Sequence, residues 1–151
     1  MIFIYTVPSC SSCKKAEEWL RAHDLDYKEI NLLTDDIKPE EIKKILSLTE
    51  EGTEEIISKR SKAYARLNIN FDNVSVNHLI DIIEENRTLL RRPLILDDKR
   101  LQVGYNEDDI RKFLPRSYRK VKMAKESEEI KAIVLDREER EYLATHKPQE
   151  A

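Results

Sequence analysis

Within its first three dozen positions the sequence passes from a short apolar run, through a cysteine pair, to an amphipathic segment and back to an apolar run. That order limits the folds open to it. "IFIYT" (2–6) is β-prone and is closed off by Pro8. From Ser11 to His23, the residues Cys13, Ala16, Trp19, Leu20 and His23 recur on one face at helical spacing. "DYKEINLL" (26–33) is β-prone again. Strand, helix and strand in this order form a crossover, which joins parallel neighbours in one sheet.

Further along, Pro39 suits a first helical turn. Ile42, Ile45 and Leu46 give that helix its apolar stripe, and Gly52 reads as its stop. Thr53 is placed to cap a short helix through Ile56 and Ile57. Helical spacing resumes as far as Leu67 and returns from Val76 to Glu85. "LIL" (94–96) and "LQV" (101–103) flank Asp97 to Arg100 at hairpin spacing. Asn106 is set to cap a last helix that turns Ile110, Phe113 and Leu114 inward before Pro115. Two glycines and five prolines in 151 residues argue against a turn-rich all-β protein.

The expected fold is therefore α/β, with a thioredoxin-like β-α-β…β-β-α core over about 1–33 and 90–116. An all-helical subdomain is inserted at about 37–86. Residues 117–151 form a basic-then-acidic C-terminal tail, helical or flexible, with Glu128 to Leu143 as its candidate helix.

Hydrophobic residues are 40% of the chain and charged residues 38%, as in a globular protein with a heavily charged surface. No stretch approaches the roughly 20 apolar residues of a membrane span. Ile2 to Tyr5 has no basic segment before it and is shorter than a secretory core of about 7–15 residues. The expectation is a cytoplasmic protein without a membrane contact, where neighbouring cysteines are normally reduced. Ile110 to Lys125 holds seven bases and no acid, while eight acids and four bases follow to Ala151. Such a strip is either a solvated face or an auxiliary contact to a polyanion.

The chemistry rests on "PSCSSCKK". Zinc commonly needs four ligands. A second cysteine pair is lacking, and His23, His78 and His146 show no ligand spacing, so no metal or cofactor is expected. A C-x-x-C that follows a strand and opens a helix is instead the setting of a thioredoxin-like dithiol. Cys10 sits where free N–H groups and the helix dipole favour a thiolate. Cys13, one turn on, is placed to resolve a sulfenate on Cys10 into a disulfide. The plain alternative is a pair of small hydrophobes.

The segments "PSCSSCKKA", "LTEEGTEEIISKRSKAY" and "LLRRPLILDDKRLQVGYNEDDIRKFLPR" resemble the Spx regulators of the arsenate reductase (ArsC) superfamily, from Ile2 to about Arg116. The resemblance implies a monomer that binds the C-terminal domain of the RNA polymerase α subunit. It implies redirection of transcription toward thiol and oxidative stress genes, with promoter DNA touched only as part of the polymerase complex. Cys10 and Cys13 would then be the redox switch, with Arg92 coupled to it. Pro93 would be the cis proline beside it. Gly52 and Lys62 would contact the α subunit; Ser47 departs from the basic residue of the family at that position. Turnover by the ClpXP protease and its adaptor is implied too. The rival reading is an arsenate reductase-like enzyme or a general thiol-disulfide oxidoreductase. Arg60 and Arg92 would be its anion-binding residues, and Val103 stands where a third arginine would be needed.

Overall fold

The computed structural model describes residues 1–115, of which Met1–Phe113 form one compact unit. Strands β1 (Ile2–Thr6), β2 (Tyr27–Asn31), β3 (Leu94–Leu96) and β4 (Leu101–Val103) make one sheet in the order β2-β1-β3-β4. β1 and β2 are parallel, joined by the crossover helix α1 (Ser11–Ala22). β3 runs antiparallel to both β1 and β4. Between β2 and β3 the chain forms α2 (Pro39–Ser47), α3 (Lys62–Leu67) and α4 (Val76–Glu85), separated by 3₁₀ turns. This is the mixed α/β core with a helical insertion that the sequence predicts.

Register sorts the side chains onto two faces, because residues paired across strands point the same way. Tyr5, paired with Ile30 and Leu94, shares one face with Leu96. These four join Ile42, Ile45, Ile80 and Ile83 of the insertion in one buried cluster. Ile4, paired with Ile95 and Glu29, marks the opposite face. Ile4 and Ile95 are fully buried there. Their cover is α1, whose buried stripe is Cys13, Ala16, Trp19 and Leu20. His23 ends that stripe half-buried, its ring stacked on Trp19 with centroids 4.0 Å apart.

The helix starts follow local chemistry. Ser61 Oγ accepts the Tyr64 N–H at 3.1 Å, and Ser75 Oγ accepts that of His78 at 3.2 Å, each satisfying an orphan donor of a first turn. At α2 the Glu41 carboxylate accepts the Lys38 N–H at 2.7 Å and the hydroxyl of buried Tyr5 at 3.0 Å. One side chain thus caps the helix and ties it to the central strand.

Two local expectations are corrected. Gly52 does not stop α2, which ends at Ser47 with Leu48 as its C-cap. Gly52 instead opens the 3₁₀ turn Thr53–Glu55 at φ 90° and ψ −146°, a conformation that glycine alone adopts without strain. Thr53 is the first residue of that turn, not its cap. The last helix is also a 3₁₀ turn, Asp109–Phe113. Asn106 Oδ1 accepts the N–H groups of Asp108 and Asp109 at 2.9 and 3.0 Å, so the chain begins tightly wound. Pro115 then leaves too little chain for a longer helix. Ile110 and Phe113 are buried as expected. The basic strip beyond Pro115 and the candidate helix Glu128 to Leu143 lie outside the described residues.

Candidate redox site

Cys10 is the N-cap of α1. Its backbone is extended, and Ser9 before it has a positive φ of 60°, which turns the chain out of the strand end into the helix. Cys10 Sγ accepts the Cys13 N–H at 3.2 Å, taking the place that a serine or aspartate oxygen usually fills. Cys10 and Cys13 form a disulfide with their Cα atoms 5.2 Å apart, within the span such a bond needs. Cys13 is only 2% exposed, whereas Cys10 is half-buried. A reductant from solution therefore meets the sulfur of Cys10 first. Two electrons and two protons break the S–S bond and give two thiols.

The Arg92–Pro93 peptide is cis. Leu94 pairs with Tyr5, so Pro93 stands level with Thr6, at the end of β1 from which the chain leaves for Cys10. The antiparallel return of β3 thus brings residues of the two ends of the domain together. Arg92 is exposed, and its Nη1 donates to Thr88 O at 3.4 Å, back along its own segment.

A carboxyl pair lies beneath α1. Glu17, one turn after Cys13, shares a hydrogen bond with Glu29 of β2. Glu29 accepts the hydroxyl proton of buried Thr6 at 2.7 Å. Burial first, and then the hydrogen bond and charge of Glu29, raise the Glu17 pKa to about 7, with Arg21 opposing the rise. The sequence reading missed this pair. Its signal is Glu29 at an alternate position of a strand next to a helix with an acid four residues after a cysteine.

Gly52 and Lys62 are not beside the dithiol in sequence register; they belong to the insertion. Lys62 is exposed in the first turn of α3. Arg60 lines a groove of about 590 Å³ with Glu51, Glu54, Glu55, Ser58 and Arg91. An isolated bridge between Ile57 and Leu90 holds its wall, with the Ser58 N–H on Leu89 O at 2.7 Å and the Arg91 N–H on Ile56 O at 2.8 Å. The arginine that shares a groove with Arg60 is therefore Arg91, which sequence reasoning passed over in favour of its neighbour Arg92. Among the described residues no cluster could hold a metal ion. Among them, too, no helix is long and apolar enough to cross a membrane.

A model of the ArsC family matches residues 5–113. The global transcriptional regulator Spx of Lactiplantibacillus plantarum is 56% identical over 123 residues, which are 82% of this chain and 93% of that protein. The protein of the same name from Staphylococcus aureus is 55% identical over 119 residues, 79% of this chain and 91% of its own. Among solved structures, an ArsC-family-related protein from Bacteroides fragilis matches with a TM-score of 0.64 at 22% identity, covering 74% of this chain and 95% of its own. An arsenate reductase from Vibrio cholerae matches with a TM-score of 0.64 at 22% identity, covering 75% and 97%. At such identities the structural likeness speaks for the fold alone. The sequence likeness goes further: the chain belongs to the ArsC family, in its Spx branch.

Proposed function

We propose that this protein is a redox-sensing transcription regulator, switched by the Cys10–Cys13 disulfide and acting through the C-terminal domain of the RNA polymerase α subunit. The observation that carries this reading is the 56% identity to a protein named as a global transcriptional regulator, spread over 93% of that relative's length. The disulfide at the N-cap of α1 supplies the chemistry. Oxidation replaces two thiols, one of them favoured as thiolate by the helix end, with a neutral bond. What the first turn of α1 presents beside Arg92 and Pro93 changes, while the buried core behind it need not. A coupling of about 1–3 kcal/mol is enough to alter partner affinity roughly 5–150-fold.

In this reading Gly52 and Lys62 meet the α subunit. Promoter DNA is touched only within the polymerase complex, through the basic strip 110–125 as an auxiliary contact, and 117–151 is an appendage to a 1–116 domain. The protein acts as a monomer in the cytoplasm and is removed by ClpXP and its adaptor. It is a regulator rather than an enzyme. A reductase of arsenate would profit from three guanidiniums on a multiply charged oxyanion, and Val103 offers none.

The test is a titration of the purified α C-terminal domain, followed by in vitro transcription at a thiol-stress promoter with the reduced and the oxidised protein. Lys62→Glu should weaken binding by about tenfold or more. Gly52→Arg is the poorer probe, because its positive φ strains any side chain whether or not a partner is present. Transcription should rise with the oxidised form, and Cys10→Ala and Arg92→Ala should blunt the rise. Equal activation by both forms, or sustained arsenate reduction that depends on Cys10, overturns the reading.

A further inference from the structure

Among the described residues β4 is an open edge of the sheet. The hairpin register shows which of its backbone groups are free. The Asp97 N–H reaches Arg100 O at 3.1 Å, and the Gly104 N–H reaches Pro93 O at 2.8 Å. Bonded and non-bonded pairs alternate along an antiparallel ladder. Between those two bonded pairs, Gln102 is bonded to Ile95, while Leu101 and Val103 stand in the non-bonded pairs with Leu96 and Leu94. The N–H and C=O groups of Leu101 and Val103 therefore point away from the sheet. Both carbonyls have donors of their own: Lys112 Nζ at 3.2 Å from Leu101 O, and Gln102 Nε2 at 3.3 Å from Val103 O. The register leaves the two N–H groups to the open edge.

Along this edge runs a groove of about 440 Å³. Arg91, Lys99, Arg100 and Lys112 line it, and Leu48 gives it an apolar floor together with the side chains of Leu101 and Val103. Among the described residues none of these four cations is in an ion pair. Two acids, Glu50 and Glu55, share the lining, so the four cations leave the groove net positive. Glu55 Oε1 accepts the N–H groups of Glu50 and Glu51 at 3.0 and 2.8 Å. Asp97 Oδ1 accepts those of Lys99 and Arg100 at 2.9 and 2.8 Å.

We propose that the β4 edge is a docking site for an extended acidic segment of a partner protein, in which carboxylates alternate with apolar residues. The peptide adds a strand to the sheet. Its carbonyls accept the N–H groups of Leu101 and Val103, its carboxylates meet the four cations, and its apolar side chains lie toward Leu48. Charge complementarity selects this occupant. A second copy of the chain would bring four like charges against these four, which is how natural edges discourage self-pairing. The site does not depend on the regulatory reading above, since Lys112 of the basic strip is the one assigned residue that the two share.

The probe is a fluorescein-labelled peptide of alternating glutamate and valine, titrated into the full chain and followed by anisotropy. Saturable binding is expected, weakened by salt and lowered about tenfold or more by Arg100→Glu. A peptide with lysine in place of glutamate should not bind. In the unaltered chain, amide hydrogen exchange at Leu101 and Val103 should slow on saturation. Val103→Pro, which removes an outward N–H and none of the hairpin bonds, should cost similar affinity. Several outcomes overturn the proposal. One is no binding up to about 1 mM. Another is binding with unchanged exchange at both amides. A third is equal displacement by a single-stranded oligonucleotide of the same charge, which marks a mere polyanion patch. The last is a dimer abolished by Val103→Pro, which gives the edge to a second copy.

Discussion

On the face of Ile4 and Ile95 lies α1, one continuous helix that carries both cysteines, together with buried Ile110 and Phe113 of the last 3₁₀ turn. Over Tyr5 and Leu94 the cover is divided among α2, α3 and α4, with 3₁₀ turns and a glycine of positive φ between them. In the proposed reading the two covers suit different tasks. A dithiol needs two sulfurs held at a fixed spacing, and an unbroken helix start supplies that. A surface that meets a partner needs rims and grooves, and short elements with turns between them make those.

Measurements can break or sharpen this contrast. The largest effect is expected in the two cores. Leu20 is fully buried on the inner face of α1 and Ile83 is 1% exposed in the insertion. Leu20→Ala and Ile83→Ala should each cost about 2–5 kcal/mol in chemical denaturation. One cooperative transition is expected in both variants, since a single sheet joins the two sides. If Ile83→Ala melts the insertion while amides of α1 keep their exchange protection, the two covers are separate folding units.

A smaller effect is expected at the tie between them. Tyr5→Phe removes the hydroxyl that donates to Glu41. Glu41 keeps the Lys38 N–H, so the loss should be about 0.5–1.5 kcal/mol. It should show as faster exchange in the first turn of α2 and not in α1.

The smallest effect concerns Glu17. Folding raises its pKa from the ordinary 4.5 to about 7. Between those values the folded chain keeps a proton that the unfolded chain has lost, so stability falls as pH rises through that window. Above it the full penalty stays. Glu17 is partly in water, so solvent screening holds the effect to about 1 kcal/mol or less. Glu17→Gln should flatten the fall in melting temperature between about pH 4.5 and 7. An unchanged slope would place the titrating group elsewhere.

The side of the domain under α1 was the more legible in the sequence. Helical spacing from Cys13 to His23 and two β-prone flanks were enough to place α1, β1 and β2 within a few residues. "LIL" and "LQV" likewise gave β3 and β4 by their hairpin spacing. The insertion was read correctly as helical, but its joints were not. Gly52 looked like a helix stop because glycine commonly is one, and only the backbone angles show that it starts a turn instead. At the site, the cysteine pair announces itself by spacing. The pairing of Glu17 with Glu29, and of Arg60 with Arg91, depends on register between segments distant in sequence. No local pattern records that register.

The order of the strands has a consequence for how the protein is made. β1 is central, yet its two neighbours are synthesised at very different times. β2 follows it closely, whereas Ile4 must wait about 90 residues for Ile95. At roughly 5–20 residues per second, the ribosome leaves that side of β1 without its partner for about 5–20 s. During that interval a nascent chain presents an unpaired apolar strand edge and one bare sheet face. Newly made chains are then open to chaperones and proteases in a way that finished ones are not. The pairing that completes the sheet is thus among the last events of the domain's synthesis.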